Sequence, residues 1–115
     1  MKLAEQTAKP VAKGTAPMNQ QEAEAFARDI PQWTLAQADL TREFRFKNFR
    51  EAMVFTNQVA EVANEQDHHP DIFISYGIVR LTLSTHKIGG LSLNDFIVAA
   101  KIDAAADQHR AGRAA

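Results

Sequence analysis

The hydrophobic pattern of this chain switches period between two and about 3.6, and that switching limits the fold more than any other feature. Residues 40–46 alternate. Leu40, Phe44 and Phe46 fall on one side, with Arg42 as the polar exception, and Thr41, Glu43 and Arg45 fall on the other. Period two predicts a strand with one buried face. From Phe49 to about Glu65 the apolar residues recur at helical spacing. They form two stripes: Phe49, Met53, Thr56, Ala60 and Ala63, and beside them Ala52, Phe55, Val59 and Val62. A core-facing helix usually buries one stripe. Two stripes mean either one broad core contact or a second burial surface, such as another subunit. The period then returns to two. Residues 71–76 and 78–85 are rich in Ile, Val, Thr and aromatics around Gly77, which predicts a tight hairpin.

Caps and breakers supply the remaining elements. Asn19 with Glu22 three residues later makes a capping box for a helix ending near Asp29, burying Ala23, Phe26 and Ala27 before Pro31. Residues 32–35 form a short strand, and a turn at 37–39 leads into the alternating run. Asn48 caps the long helix. Ser92, with Asp95 three residues on, caps a last helix with an apolar face of Leu93, Phe96, Ile97 and Ala100. The predicted order is α-β-β-α-β-β-α. That is an α+β fold: a four-stranded, mainly antiparallel sheet with helices packed on one face. The other face is left for ligand, solvent or partner.

One domain is expected, over residues 19–106. Residues 1–18 carry Lys2, Lys9 and Lys13 against Glu5, and Pro10 and Pro17 interrupt any helix. They are expected to be a disordered, solvated N-terminal tail. They lack the apolar run of a secretory signal. Residues 107–115 are expected to fray. Formal charge is −1, from 13 basic and 14 acidic residues, which argues against a nucleic-acid partner. No apolar run approaches the ~20 residues of a membrane helix, so no membrane contact is expected. The absence of cysteine excludes disulfides, thiolate metal sites and cysteine nucleophiles. There is no phosphate loop and no dinucleotide glycine fingerprint; Gly89-Gly90 alone is a weak signal.

Three of the four histidines, His68, His69 and His86, fall close together in the chain. Histidine exchanges protons near neutral pH more readily than other side chains. Pro70 biases His69 toward an extended conformation, so His68 and His69 point to opposite sides. His86 is expected at the end of the second hairpin strand, on the face of Arg80, Thr82 and Ser84, where the hairpin folds it back toward the pair. Such a groove suits general acid–base catalysis. The plainer reading makes the pair a helix-end element. A zinc site is a third reading, although an adjacent pair is hard to aim at one ion. Asp67 and Asp95 either orient imidazoles or bind a polar substrate, or they serve only helix-end solvation and the helix dipole. His109 is assigned no role.

Asp67-His68-His69-Pro70, Tyr76, Ser84-Thr85-His86, Gly90-Leu91-Ser92 and Asp95 together resemble the pterin-4a-carbinolamine dehydratase family. The likeness extends back through Phe44-Arg45-Phe46-Lys47-Asn48-Phe49 to Trp33, and covers about residues 19–104. The resemblance implies a dehydratase that removes water from 4a-hydroxytetrahydropterin, giving the quinonoid dihydropterin after aromatic amino-acid hydroxylation, typically of phenylalanine. His68 and His86 match the acid–base histidines, and His69 matches the one that mainly holds substrate. Asp67, Ser84, Thr85 and Asp95 match the substrate-binding surroundings. No cofactor and no metal are implied, since the pterin is the substrate. The resemblance further implies a cytoplasmic homodimer or homotetramer, linked functionally to an aromatic amino-acid hydroxylase. Some relatives instead act as a dimerisation cofactor of a transcription factor, which leaves a non-catalytic binding module as the alternative. One departure is Asn64, where the family often has an acidic residue; Glu65 beside it points elsewhere on a helix.

Overall fold

The structure is a computed structural model and describes residues 1–114, with side chains through His109. After a 3₁₀ turn at Leu3–Glu5, the elements are α1 (Gln20–Ala27), β1 (Thr34–Leu35), β2 (Leu40–Arg45), α2 (Phe49–Gln66), β3 (Asp71–Ser75), β4 (Ile78–Leu83), a second 3₁₀ turn (His86–Ile88) and α3 (Leu93–Ala114). The four strands form one sheet in the order β1-β2-β4-β3, with every neighbouring pair antiparallel. The predicted α+β order holds, with one small extra turn at the N-terminus.

The alternation in β2 and β4 decides which face is buried. Leu40 and Phe44 face the core, as do Val79, Leu81 and Leu83 across the register Leu40↔Leu83 and Phe44↔Val79. Glu43, Arg45 and Arg80 are exposed on the other face. Ala52, Phe55 and Val59 of α2 and Phe96, Ile97, Val98, Ala99 and Ile102 of α3 join the same core. Trp33, Phe44, Phe55 and Phe46 run through it as a chain of ring contacts with centroids 4.7–6.4 Å apart, spacings typical of tilted and edge-to-face aromatic pairs. The Ala52, Phe55, Val59 and Val62 stripe packs on this core, and Thr56 and Ala63 of the other stripe are buried as well. Phe49, at the head of the other, is 50% exposed.

Arg42, the polar exception on the buried side of β2, is explained by α3. Its guanidinium donates to Asp103 Oδ1 at 2.6 Å and lies 4.2 Å over the Phe44 ring. Trp33 Nε1 donates to the same carboxylate oxygen at 2.8 Å. Burial pushes the Asp103 carboxyl above its ordinary value; the bonds from Trp33 and Arg42 work against that rise.

Glycine is needed where the β3–β4 hairpin meets the end of β2. A Cβ on Gly77 would lie 2.4 Å from the Phe46 carbonyl oxygen, and Phe46 N–H donates to Gly77 O at 2.7 Å.

One strand end is corrected, and both terminal segments make contacts that the sequence did not announce. Residues 1–18, largely exposed, are pinned to the fold at several points. Leu3 is 5% exposed within the core, Lys101 Nζ donates to Ala4 O at 2.8 Å, and Met18 N–H donates to Leu91 O at 2.8 Å. The bonds run through backbone groups and long polar side chains, which leave no hydrophobic period in the sequence. β4 ends at Leu83, and His86 sits in a 3₁₀ turn instead of continuing the strand. At the C-terminus α3 is helical to Ala114, past the expected domain boundary at residue 106, while Ala115 lies outside the described residues. Alanine has the highest helix propensity, and this end is anchored: Ala106 is buried and His109 packs edge-on against Phe46 at 5.3 Å.

Candidate functional site

The C-terminus of α2 aims the first two histidines. Asp67 adopts a left-handed conformation (φ 50°), donating its N–H to Asn64 O at 3.3 Å, while His68 N–H reaches Ala63 O at 3.1 Å. This is a Schellman closure, usually made by glycine and tolerated by Asp. It turns the chain sharply, and Pro70 then holds His69 extended. The two imidazoles diverge as expected from their adjacency. His68 Nε2 lies 2.6 Å from Asp95 Oδ1, and His69 Nε2 lies 3.0 Å from Asn64 Oδ1. The departure at position 64 therefore keeps an oxygen acceptor for His69.

Asp95 stands in the first turn of α3 and is fully buried. Its Oδ2 accepts from Ser92 N–H at 2.9 Å and from the Thr85 hydroxyl at 2.7 Å. Thr85 has one proton and gives it to Asp95, so the Ser92 hydroxyl donates to Thr85 Oγ1 at 2.7 Å. The carboxylate thus closes the helix N-terminus and holds His68 at once. A carboxylate can only accept, so the contact makes Nε2 of His68 a protonated nitrogen, and Nδ1 is not engaged by Asp95. Asp95 is fully buried behind His68, an arrangement that suits the imidazole-orienting role, one of the readings the sequence left open for it.

His86 arrives from the other side of the fold. Thr85 N–H bonds Gly90 O at 2.9 Å, closing a small loop, and the 3₁₀ turn inside it carries His86 exposed. His68, His69 and His86 line one cavity of about 430 Å³ with Asp67, Ser84 and Thr85. That volume falls in the range of small-molecule sites. The Ser84 hydroxyl is turned away, donating to Ala38 O at 2.8 Å. Among the described residues no group of three or more His, Cys, Asp or Glu is arranged to hold a metal ion. Nor is any helix among them long and apolar enough to cross a membrane. The sequence missed Ala8, Lys9, Pro10, Val11 and Asn94, which also line the cavity. Four of the five lie in the segment expected to be free. Only the polarity of Asn94 one residue before Asp95 signalled anything.

Comparison with known proteins places the chain and its fold in one family. A protein of Halorhodospira halophila, provisionally named pterin-4-alpha-carbinolamine dehydratase, is 46% identical over 106 residues, covering 90% of this chain and 97% of its own length. The crystal structure of a transcriptional coactivator/pterin dehydratase from Brucella melitensis matches with a TM-score of 0.74 at 34% identity, over 78% of this chain and 98% of that one. A pterin dehydratase-like protein identified as a RuBisCO assembly factor in the alpha-carboxysome matches with a TM-score of 0.54. At 23% identity, over 64% of this chain and 86% of that one, its likeness is of fold alone. The model of the family described as pterin 4 alpha carbinolamine dehydratase matches residues 16–105. With its sheet, its paired helices and its three-histidine cavity, this chain belongs to that family.

Proposed function

We propose that this protein dehydrates 4a-hydroxytetrahydropterin to the quinonoid dihydropterin by histidine acid–base catalysis. The observation that carries the reading is the convergence of His68, His69 and His86 on one cavity, with His68 held by a buried carboxylate. The chemistry needs two proton transfers. One imidazolium gives a proton to the 4a-hydroxyl, and the C4a–O bond breaks to release water. The N5 lone pair forms the C4a=N5 bond, and a neutral imidazole takes the N5 proton. No electrons leave the substrate, and the proton given equals the proton taken, so the pterin is the substrate and no cofactor is required. His68 brings one free nitrogen in a fixed orientation. His86, being exposed, exchanges protons with solvent. His69, braced by Asn64, is assigned to holding the ring, and Asp67, Ser84 and Thr85 to its surroundings.

Turnover of the 4a-carbinolamine tests the assignment. His68→Ala and His86→Ala are each expected to lower kcat by ~10²–10⁴-fold. His69→Ala is expected mainly to raise KM. Equal kcat and KM across the three variants contradicts the roles.

We further propose that the protein recycles the pterin of an aromatic amino-acid hydroxylase in the cytoplasm, which suits a chain without cysteine. We also propose that it works as a homodimer or homotetramer. Unburied apolar side chains on edge strand β3 and on α2 support this, Phe73 at 49% exposed and Phe49 at 50%. The same surfaces favour a second reading, a non-catalytic module that stabilises another protein. The coactivator role in the name of the Brucella melitensis protein points the same way. A pterin dehydration rate no faster than the spontaneous one would select that reading.

A further inference from the structure

The cavity takes part of its lining from residues 8–11, ahead of the family match that begins at residue 16. Two side chains fasten this strap. Gln66 Oε1 accepts the Ala8 N–H at 2.8 Å. Asn94 Oδ1 accepts the Lys9 N–H at 2.9 Å, and Asn94 Nδ2 donates to Lys9 O at 2.6 Å. The Asn94 amide therefore satisfies both backbone groups of Lys9, as a neighbouring strand would. Gln66 directly precedes Asp67, and Asn94 directly precedes Asp95. The strap is thus fixed to the two helix ends that carry the His68–Asp95 pair. Further along the chain, Pro17 packs on Gly90, where a Cβ would meet it at 2.8 Å. Pro10 has no N–H to satisfy, and Val11 has no polar side-chain atom. Together they give one side of a polar, histidine-lined cavity an apolar surface.

We propose that residues 8–11 form a substrate-selecting wall of the pterin site, in which Pro10 and Val11 pack against the bound tetrahydropterin while Asn94 and Gln66 act as positioning residues. The inference rests on the dehydratase reading above. The wall acts on binding and on which pterin substituents are admitted, not on proton transfer.

Binding of 7,8-dihydrobiopterin, which this chemistry does not turn over, is measured by calorimetry for the wild type, Asn94→Ala and Val11→Trp. KM and kcat for the 4a-carbinolamine are measured alongside. Asn94→Ala removes two backbone anchors and is expected to raise Kd and KM about tenfold, with kcat within about twofold. Val11→Trp leaves the anchors in place. It is expected to weaken dihydrobiopterin more than a pterin carrying only a 6-methyl group. Both variants binding like the wild type overturns the proposal. A fall in kcat at unchanged KM in Asn94→Ala overturns it too, because Asn94 would then serve only to align Asp95. A wild type that binds no pterin overturns the dehydratase reading, and the wall with it.

Discussion

Two carboxylates of α3 show how little their sequence neighbourhoods disclose. Asp95 reads as a favourable charge at a helix N-terminus, and it is that; but its other oxygen holds His68 at 2.6 Å. The histidines were legible because they crowd one stretch of chain, whereas the Asp95–His68 contact needs α2 and α3 brought together. Asp95→Asn presents an amide donor where His68 now donates, which favours the other tautomer. Turnover of the 4a-carbinolamine is expected to fall by about 10²-fold or more, with the fold kept as read by circular dichroism. Activity equal to wild type would remove Asp95 from the mechanism. Arg42 was visible as an anomaly, but its partner Asp103 was not, because no local pattern links β2 to a distant helix. The Asp103 carboxyl is raised above its ordinary value of 3.8 by burial. Between that value and its raised one, the native state binds more protons than the unfolded chain, so this group's contribution to stability falls as pH rises through that window. Urea titrations across acidic pH are expected to show this decline in the wild type and not in Asp103→Asn. An unchanged pH slope in the variant would contradict the assignment.

Among the elements, those announced by a cap or a clean period were legible. Asn19 accepts from Glu22 N–H at 2.9 Å, and Asn48 accepts from Glu51 N–H at 2.9 Å, as their positions suggested. The strap was hidden because a backbone fastened by Gln66 and Asn94 needs no hydrophobic repeat. The break after Leu83 was hidden because Ser84 and Thr85 continue the parity of β4: Thr85 is buried like Val79, Leu81 and Leu83. The side chains keep the strand's alternation while the backbone turns to pair with Gly90. Gly77 was read as a turn residue, yet its tight constraint comes from the end of β2. Gly77→Ala forces the Phe46 carbonyl and the hairpin apart, and chemical denaturation is expected to show a loss of about 1–3 kcal/mol. No measurable loss would mean that the hairpin and β2 separate freely.

At the scale of the whole molecule, a single core joins the sheet, both long helices and the N-terminal turn, leaving β3 as an open edge. Edge strands of this kind are usually covered or charged. β3 begins with an exposed Asp71 but carries Ile72 and Phe73 exposed behind it, with Tyr76 68% exposed at the following turn. Light scattering is therefore expected to give a native mass that is a multiple of 12.8 kDa; a monomer at micromolar concentration would contradict the proposed oligomer. The overall architecture was readable because period, caps and turn residues agree along the chain. The proposed substrate came only from the family resemblance, and the proposed oligomer from that resemblance and the two-stripe α2, because no local period reports a surface that only the assembled fold creates. The central claim is the acid–base cavity, and the rate of dehydration of freshly generated 4a-hydroxytetrahydropterin, with chelator present, tests it most directly. The account predicts strong acceleration by the wild type that survives chelation and collapses in His86→Ala. A wild-type rate equal to the spontaneous one, or a rate that His86→Ala leaves unchanged, would contradict it.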